Sequence, residues 1–299
     1  MQTVIKRRLH MPRTIEARWL QTGIWIILIL WTTALTLSQL DAFQIGAYSD
    51  DATYVVLARS LAFADQYGLI NAPGEHPEIA PFPCGFPLML APFARLTSIP
   101  QAIKIPSLIA TLAVASILFW GWPILSHYSR WWGLAISGLY LLAPLTVNHA
   151  RMVMSEAVFT LFLLAAIWLV ERIARGGQST WVTLATGVLS VMIPITRTVG
   201  LLLLPVALVY LALRCGRRVW REFGRLLLGG AVCVGLILAL TPVDVSGLFP
   251  VRYLTESNAA LLIALRTRLT PADPAPAMPT EYLKQDEAGS PPRVDNRQL

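Results

Sequence analysis

Apolar residues occur along this chain in long blocks, and neither a two-residue alternation nor a single helical stripe describes them. Blocks that approach about 20 residues are typical of membrane spans, because that length crosses a hydrocarbon core of about 30 Å. The blocks cover residues 23–40, 84–96, 105–125, 131–147, 154–171, 181–196, 199–213 and 226–241. The pattern therefore predicts an all-α, polytopic integral membrane protein.

The positions of basic residues predict how many of these eight blocks cross the membrane. Residues 1–22 form a basic N-terminus, and the loop Arg214–Arg225 carries five arginines. The positive-inside rule places both in the cytoplasm, which eight crossings would not allow. Gly85–Leu96 is too short to cross and contains Pro87 and Pro92. We therefore expect about seven transmembrane helices, with Gly85–Leu96 as a short re-entrant or interfacial helix.

The basic N-terminus followed by the apolar run Gly23–Leu40 has two interpretations. It could be a cleaved signal peptide, but the run is long for that purpose and no clear A-x-A cleavage site follows. An uncleaved first span with a cytoplasmic N-terminus fits better.

The chain divides into three parts by composition: the N-terminus 1–22, a membrane-embedded core 23–241 and a polar, Pro-rich tail 242–299 that we expect to be partly disordered. The core includes an acidic loop, 41–104, on the outer side. Within it, small and apolar residues recur at helical spacing and predict an amphipathic helix on the outer face of the membrane. They are Tyr54, Leu57, Ala58, Leu61 and Ala62.

Composition agrees with the membrane class. Hydrophobic residues make up 55% of the chain and charged residues 14%, against about 25% charged residues in typical soluble domains. The net charge of +7 comes from residues at the ends of apolar blocks, where they act as topological anchors and attract anionic membrane lipid. We therefore expect no nucleic-acid partner.

Asp50 and Asp51 are the first candidates for chemistry. A carboxylate held at a membrane surface can act as a general base toward an acceptor hydroxyl or amine, or can help to hold a divalent cation. The structural alternative is that Ser49 or Asp50 caps a helix and Asp51 complements its dipole. Any metal remains unknown, because the other local cluster, Glu75, His76 and Glu78, has no convincing ligand spacing.

Three more ionisable residues lie at the ends of apolar blocks. Arg151 and Glu156 flank the start of one span, and ionisable groups at membrane depth are functional by default; the alternative is interfacial snorkelling. Arg197 stands between two short apolar runs, where a guanidinium suits phosphate; the alternative is a loop arginine turned to water. The sequence contains no Walker A, GxGxxG, GxSxG or HExxH motif.

Five segments in order give the chain a resemblance to a known family: Tyr48–Tyr54, Pro81–Pro92, Lys104–Ser107, Ser155–Glu156 and Thr196–Gly200. Together they resemble the C-type membrane glycosyltransferases, in particular the lipid A aminoarabinose transferases and the protein O-mannosyltransferases. The acidic pair before an aromatic residue, the proline-rich run and the arginine after a span carry the likeness. Cys84 replaces the second of the family's paired prolines, and Thr198 stands where proline is common.

The resemblance implies a glycosyltransferase of the plasma (inner) membrane whose active face is outward, toward the periplasm. Its donor would be a polyprenyl-phosphate-linked sugar, and its acceptor a lipid, glycan or protein. By carry-over, Asp50 is the base or acceptor-orienting acid, and Asp51 and Glu156 support it or bind a divalent cation. Arg151 and Arg197 would meet donor phosphate. The remaining substrate-binding candidates are Arg59 and Tyr54.

The chain departs from the resembled family in length. Family members usually continue with further spans and often an outer soluble domain, whereas this chain becomes polar after Leu240. We therefore keep two alternatives beside the enzyme: a carrier or flippase for a lipid-linked sugar, and an inactive, truncated scaffold. A partner membrane subunit is a further possibility for a half-length chain.

Overall fold

The computed structural model describes residues 15–46, 49–64, 66–70, 82–96, 100–121, 129–176, 179–243 and 248. The chain forms two units, Met1–Pro250 and Val251–Leu299, and every described residue belongs to the first. Nearly all of the Pro-rich tail lies outside the described residues, and so do Tyr48 and the cluster of Glu75, His76 and Glu78.

Every regular element of the described residues is a helix, as the apolar blocks predict. In chain order the helices are α1 (Ile15–Leu37), α2 (Ser49–Arg59), α3 (Gly85–Leu96), α4 (Ile105–Ser116), α5 (Arg130–Leu142), α6 (Pro144–Ala150), α7 (Glu156–Ala174), α8 (Thr180–Thr196), α9 (Leu203–Cys215) and α10 (Val219–Leu240). Wider π-type turns, Ser60–Ala64 and Ile117–Gly121, continue α2 and α4.

Four helical segments of the described chain are long and apolar enough to cross a membrane: Ala17–Leu37, Gln101–Gly121, Glu156–Ala174 and Thr198–Leu240. The last has 43 residues and is interrupted at Gly216, whose φ of 55° favours glycine, so that it contains both α9 and α10. The all-helical class is thus confirmed for the described residues, and the four candidate spans are consistent with a membrane protein. The count of seven crossings stays a prediction, because only four segments of the described residues qualify by length and composition, and α8 is a shorter apolar helix.

The predicted helix in the acidic outer loop is present as α2 and its π-type turn. All five residues on which the prediction rested are buried: Tyr54, Leu57, Ala58, Leu61 and Ala62. They are buried against protein, because Tyr54 and Ala58 belong to the same apolar cluster as Phe86 and Leu90 of α3. The position of α2 on the outer membrane surface remains a prediction.

Helix α3 is too short to cross a membrane and packs closely on its neighbours. Its 12 residues reach about 18 Å, well short of a 30 Å core. Phe86 and Leu90 are fully buried, and Gly85 lies so close to α8 that a Cβ there would stand 2.7 Å from the carbonyl oxygen of Ile195. Helices α2 and α3 therefore form a layer packed on the N-terminal end of α7 and the C-terminal end of α8.

Lys104 fixes the loop between α1 and α2. Its side chain is buried, and its ammonium donates hydrogen bonds to the backbone carbonyl oxygens of Leu40 and Phe43. A buried ammonium needs such partners, because desolvation of an unpaired charge is costly. Lys104 thereby ties the end of α1 to the start of α4 and positions the segment that leads into Asp50.

Helices α8 and α10 approach each other through glycine. A Cβ at Gly187 would stand 3.0 Å from the carbonyl carbon of Leu226, and one at Gly229 would stand 3.0 Å from that of Leu184; the oxygens would be closer still. Small residues of this kind let transmembrane backbones touch. This contact holds α8 in place and so fixes the turn that carries Arg197.

Candidate active site

Tyr54 joins the acidic loop to the start of α7. Its phenolic oxygen lies 3.2 Å from the hydroxyl oxygen of Ser155, and this hydrogen bond is buried. Its ring meets the rings of Phe82 and Phe86 edge-on, with centroids 5.3 and 5.0 Å apart. The aromatic contacts hold the ring, so that the hydroxyl of Tyr54 is directed at the residue before Glu156.

Glu156 and Arg197 form an ion pair between two segments that are 41 residues apart. Glu156 begins α7, and Arg197 has extended backbone between α8 and the 3₁₀ turn Thr198–Leu202. Gly200 makes this turn compact: its N–H donates to the carbonyl of Arg197 at 2.9 Å, and a Cβ on it would stand 2.9 Å from the carbonyl carbon of Ile193. The pair is partly exposed, with 38% of the Arg197 side chain and 29% of the Glu156 side chain accessible.

The electrostatics of Tyr54 show that these charges share one region. Burial raises the pKa of Tyr54, while the hydrogen bond with Ser155 lowers it. Smaller effects on the same pKa come from the charges of Asp50, Arg197 and Glu156. Side chains from α2, α7 and the end of α8 thus converge, and Tyr54 stays protonated at neutral pH, able to donate a hydrogen bond.

The two aspartates of α2 have different surroundings. Asp51 is buried, and its Oδ1 accepts hydrogen bonds from the backbone N–H groups of Gly46, at 3.0 Å, and Ala52, at 2.6 Å. The carboxylate of Asp51 therefore lies at the N-terminus of α2, where it complements the helix dipole. Asp50 is partly exposed. Of the pair, Asp50 has the more accessible carboxylate.

Two buried polar atoms of the predicted site have no hydrogen-bond partner among the described residues. They are Nε of Arg151 and Oε2 of Glu156, which lie on either side of the turn between α6 and α7. Buried polar atoms are almost always bonded, and leaving one unpaired costs about 1–3 kcal/mol. A polar ligand that reached either atom would recover part of that cost.

The structure does not bring every predicted residue together. Arg59 is exposed and ends α2, nine residues and about 14 Å of helix from Asp50. Among the described residues no group of three or more His, Cys, Asp or Glu side chains could hold a metal ion.

Sequence reasoning did not single out Ser155 or Lys104 as site residues. Ser155 is a short polar residue before an apolar block, and only the fold brings Tyr54 to it from 101 positions away. Lys104 could have been noticed as the lone lysine beside the apolar block 105–125, where a buried charge requires partners.

Comparison of the chain with protein-family models, with curated proteins and with solved structures finds no match.

Proposed function

We propose that this protein is a membrane glycosyltransferase that moves a sugar from a polyprenyl-phosphate-linked donor to a lipid, glycan or protein acceptor. The observation that carries the proposal is the convergence of Asp50, Tyr54, Glu156 and Arg197 at the ends of membrane helices. The resemblance to the C-type membrane glycosyltransferases, stated from the sequence, points to the same residues. A carboxylate, a phenol and a guanidinium are the groups that such a displacement needs.

The donor phosphate would bind Arg197 and Arg151. A guanidinium carries five N–H donors, and the ion pair of Arg197 with Glu156 occupies one terminal nitrogen, Nη1. Glu156 holds the guanidinium in place and leaves donors for phosphate oxygens. The unpartnered Nε of Arg151, in the turn that precedes Glu156, supplies another donor. The polyprenyl tail of the donor would remain in lipid.

Asp50 would act on the acceptor. In the proposed step its carboxylate takes the proton of an acceptor O–H or N–H as the acceptor atom forms a bond to the anomeric carbon. The bond from that carbon to the phosphate oxygen breaks, and polyprenyl phosphate leaves with the electron pair, stabilised by the arginines. Tyr54, held protonated, donates a hydrogen bond to the sugar or the phosphate.

The proposal places this site on the outer face of the plasma (inner) membrane. Seven crossings put the arginine-rich loop and the N-terminus in the cytoplasm by the positive-inside rule, and the site then lies at the opposite ends of the helices. A lipid-linked donor suits that face, where nucleotide sugars are not available.

Asp50→Asn tests the assignment of the base, with Asp41→Asn as the matched control. Both substitutions remove one carboxylate from the same loop, but Asp41 is exposed and lies beside Lys104 rather than Tyr54. Membranes that contain equal amounts of each variant receive a labelled polyprenyl-phosphate sugar. Loss of one base should lower transfer about 10²–10⁴-fold in Asp50→Asn and leave Asp41→Asn near wild type.

Undiminished transfer by Asp50→Asn would remove Asp50 from the mechanism. An equal loss of transfer in both variants would show that the loop acts through its net negative charge and not through a specific base. Labelled donor that changes sides without being consumed would favour the carrier or flippase. Binding without transfer or translocation would favour the inactive scaffold.

A further inference from the structure

A second polar site lies at the other end of the bundle. An open cavity of about 270 Å³ lies between the end of α7, the turn after α9 and the start of α10. Its lining includes Ala174, which is 18 residues along α7 from Glu156, or about 27 Å of helix. The cavity is therefore separate from the candidate active site, and the function proposed above does not use it.

The lining of this cavity is cationic. Arg214, Arg218 and Arg221 line it together with one acidic residue, Glu222. The charge of Glu222 is already engaged, because its carboxylate accepts hydrogen bonds from Thr183 at 2.8 Å and from Arg221 at 3.2 Å. Among the described residues neither Arg214 nor Arg218 forms an ion pair. Arg214 and Arg218 thus line one concave space without a salt bridge among the described residues. Glu171, whose carboxylate interacts electrostatically with Arg214, is already paired with Arg175 at 2.6 Å.

Exposed tryptophans mark the level of the cavity relative to a bilayer. Trp181 and Trp220 stand near the starts of α8 and α10, with 79% and 75% of their surface exposed. The hydrogen bond from Thr183 to Glu222 puts these two helix ends at the same height. Exposed tryptophans concentrate at the headgroup level of membranes, and the cavity shares that level because Glu222 lines it.

We propose that this cavity binds the phosphate-bearing headgroup of an anionic membrane phospholipid. Arg214 and Arg218 provide charge-assisted hydrogen bonds to phosphate oxygens, for which the guanidinium fork is suited. Ile173 and Ala174 supply an apolar wall against which the glycerol and the first acyl carbons pack. Basic pockets between transmembrane helices at the headgroup level recognise anionic lipids in this way.

The test is native mass spectrometry of the purified full chain in detergent with added phosphatidylglycerol or phosphatidylcholine. The matched variants are Arg218→Gln and Arg217→Gln. The two arginines are neighbours on the same 3₁₀ turn, but Arg217 does not line the cavity. A third variant removes both Arg214 and Arg218. Inorganic phosphate is added as the soluble competitor.

The wild type should retain phosphatidylglycerol over phosphatidylcholine. Retention should fall about fivefold in Arg218→Gln and about thirtyfold in the double variant, with Arg217→Gln within a factor of about two of wild type. Equal losses in Arg217→Gln and Arg218→Gln would show that diffuse surface charge retains the lipid, and would contradict binding in the cavity. Equal retention of the two lipids would contradict selectivity for an anionic headgroup. Displacement of the lipid by millimolar phosphate would show that the cavity binds free phosphate and not a lipid.

Discussion

The glycine contact between α8 and α10 predicts how much stability is lost when one of its glycines is replaced by alanine. In Gly187→Ala the new Cβ would stand 3.0 Å from the carbonyl carbon of Leu226 and closer still to its oxygen, whereas ordinary carbon contacts are about 3.5–4.0 Å. The backbone oxygen cannot move alone, so the two helices must separate. A gap of about 0.5–1 Å between the helices removes a quarter to a half of the van der Waals energy of each contact across it. Overpacking of this kind costs about 1–3 kcal/mol.

The matched control is Gly235→Ala on the same pair of helices. A Cβ at Gly235 meets no heavy atom within 4 Å, so that alanine there should be neutral or slightly stabilising through helix propensity. In detergent, the melting temperature followed by size-exclusion chromatography should fall by about 2–12 °C in Gly187→Ala, because 1 kcal/mol corresponds to about 2–4 °C in the larger domains. Equal melting temperatures in the two variants would refute the close crossing of α8 and α10.

Three further predictions concern the candidate active site and its surroundings. Tyr54→Phe removes the buried hydrogen bond to Ser155 and should destabilise the protein by about 1 kcal/mol in a denaturant titration; an unchanged midpoint would contradict that bond. Burial raises the pKa of Cys84 to about 12, so its alkylation at pH 8, read from the peptide mass, should be about 10³-fold slower than in unfolded protein and should accelerate as pH rises. Fast labelling would contradict its burial. Glu156→Gln should reduce the contribution of Arg197 to the free energy of unfolding. A double-mutant cycle of the two residues should give a coupling energy of about 1 kcal/mol. Additive effects would mean that the ion pair does not stabilise the fold.

Much of the fold could be predicted from the sequence because apolar block length is a strong signal in a membrane protein. The all-helical class, the helix over Ser49–Arg59 and the short element Gly85–Leu96 all follow from block length, spacing and proline positions. The number of crossings does not follow as firmly. It depends on segments such as Thr180–Thr196, whose 17 residues lie near the lower limit for spanning.

The site could be predicted only in part. Charges at the ends of apolar blocks identified Glu156 and Arg197, which the structure pairs, because ionisable groups near lipid need partners. The pairing itself depends on how α7 and α8 pack, and no local pattern encodes a contact across 41 residues. The cationic cavity was not predicted either. The sequence assigned the arginines of that loop to topology, and only the turn at Gly216 brings α9 and α10 around one space.

Consumption of the lipid-linked donor is the most direct test of the central claim. Purified protein in liposomes is given a panel of polyprenyl-phosphate sugars and candidate acceptors, and released polyprenyl phosphate is measured against glycosylated product. We expect one polyprenyl phosphate for each sugar transferred, with both lost in Asp50→Asn. A donor that remains intact with every acceptor, or that crosses the bilayer unchanged, would contradict the assignment of this protein as a glycosyltransferase.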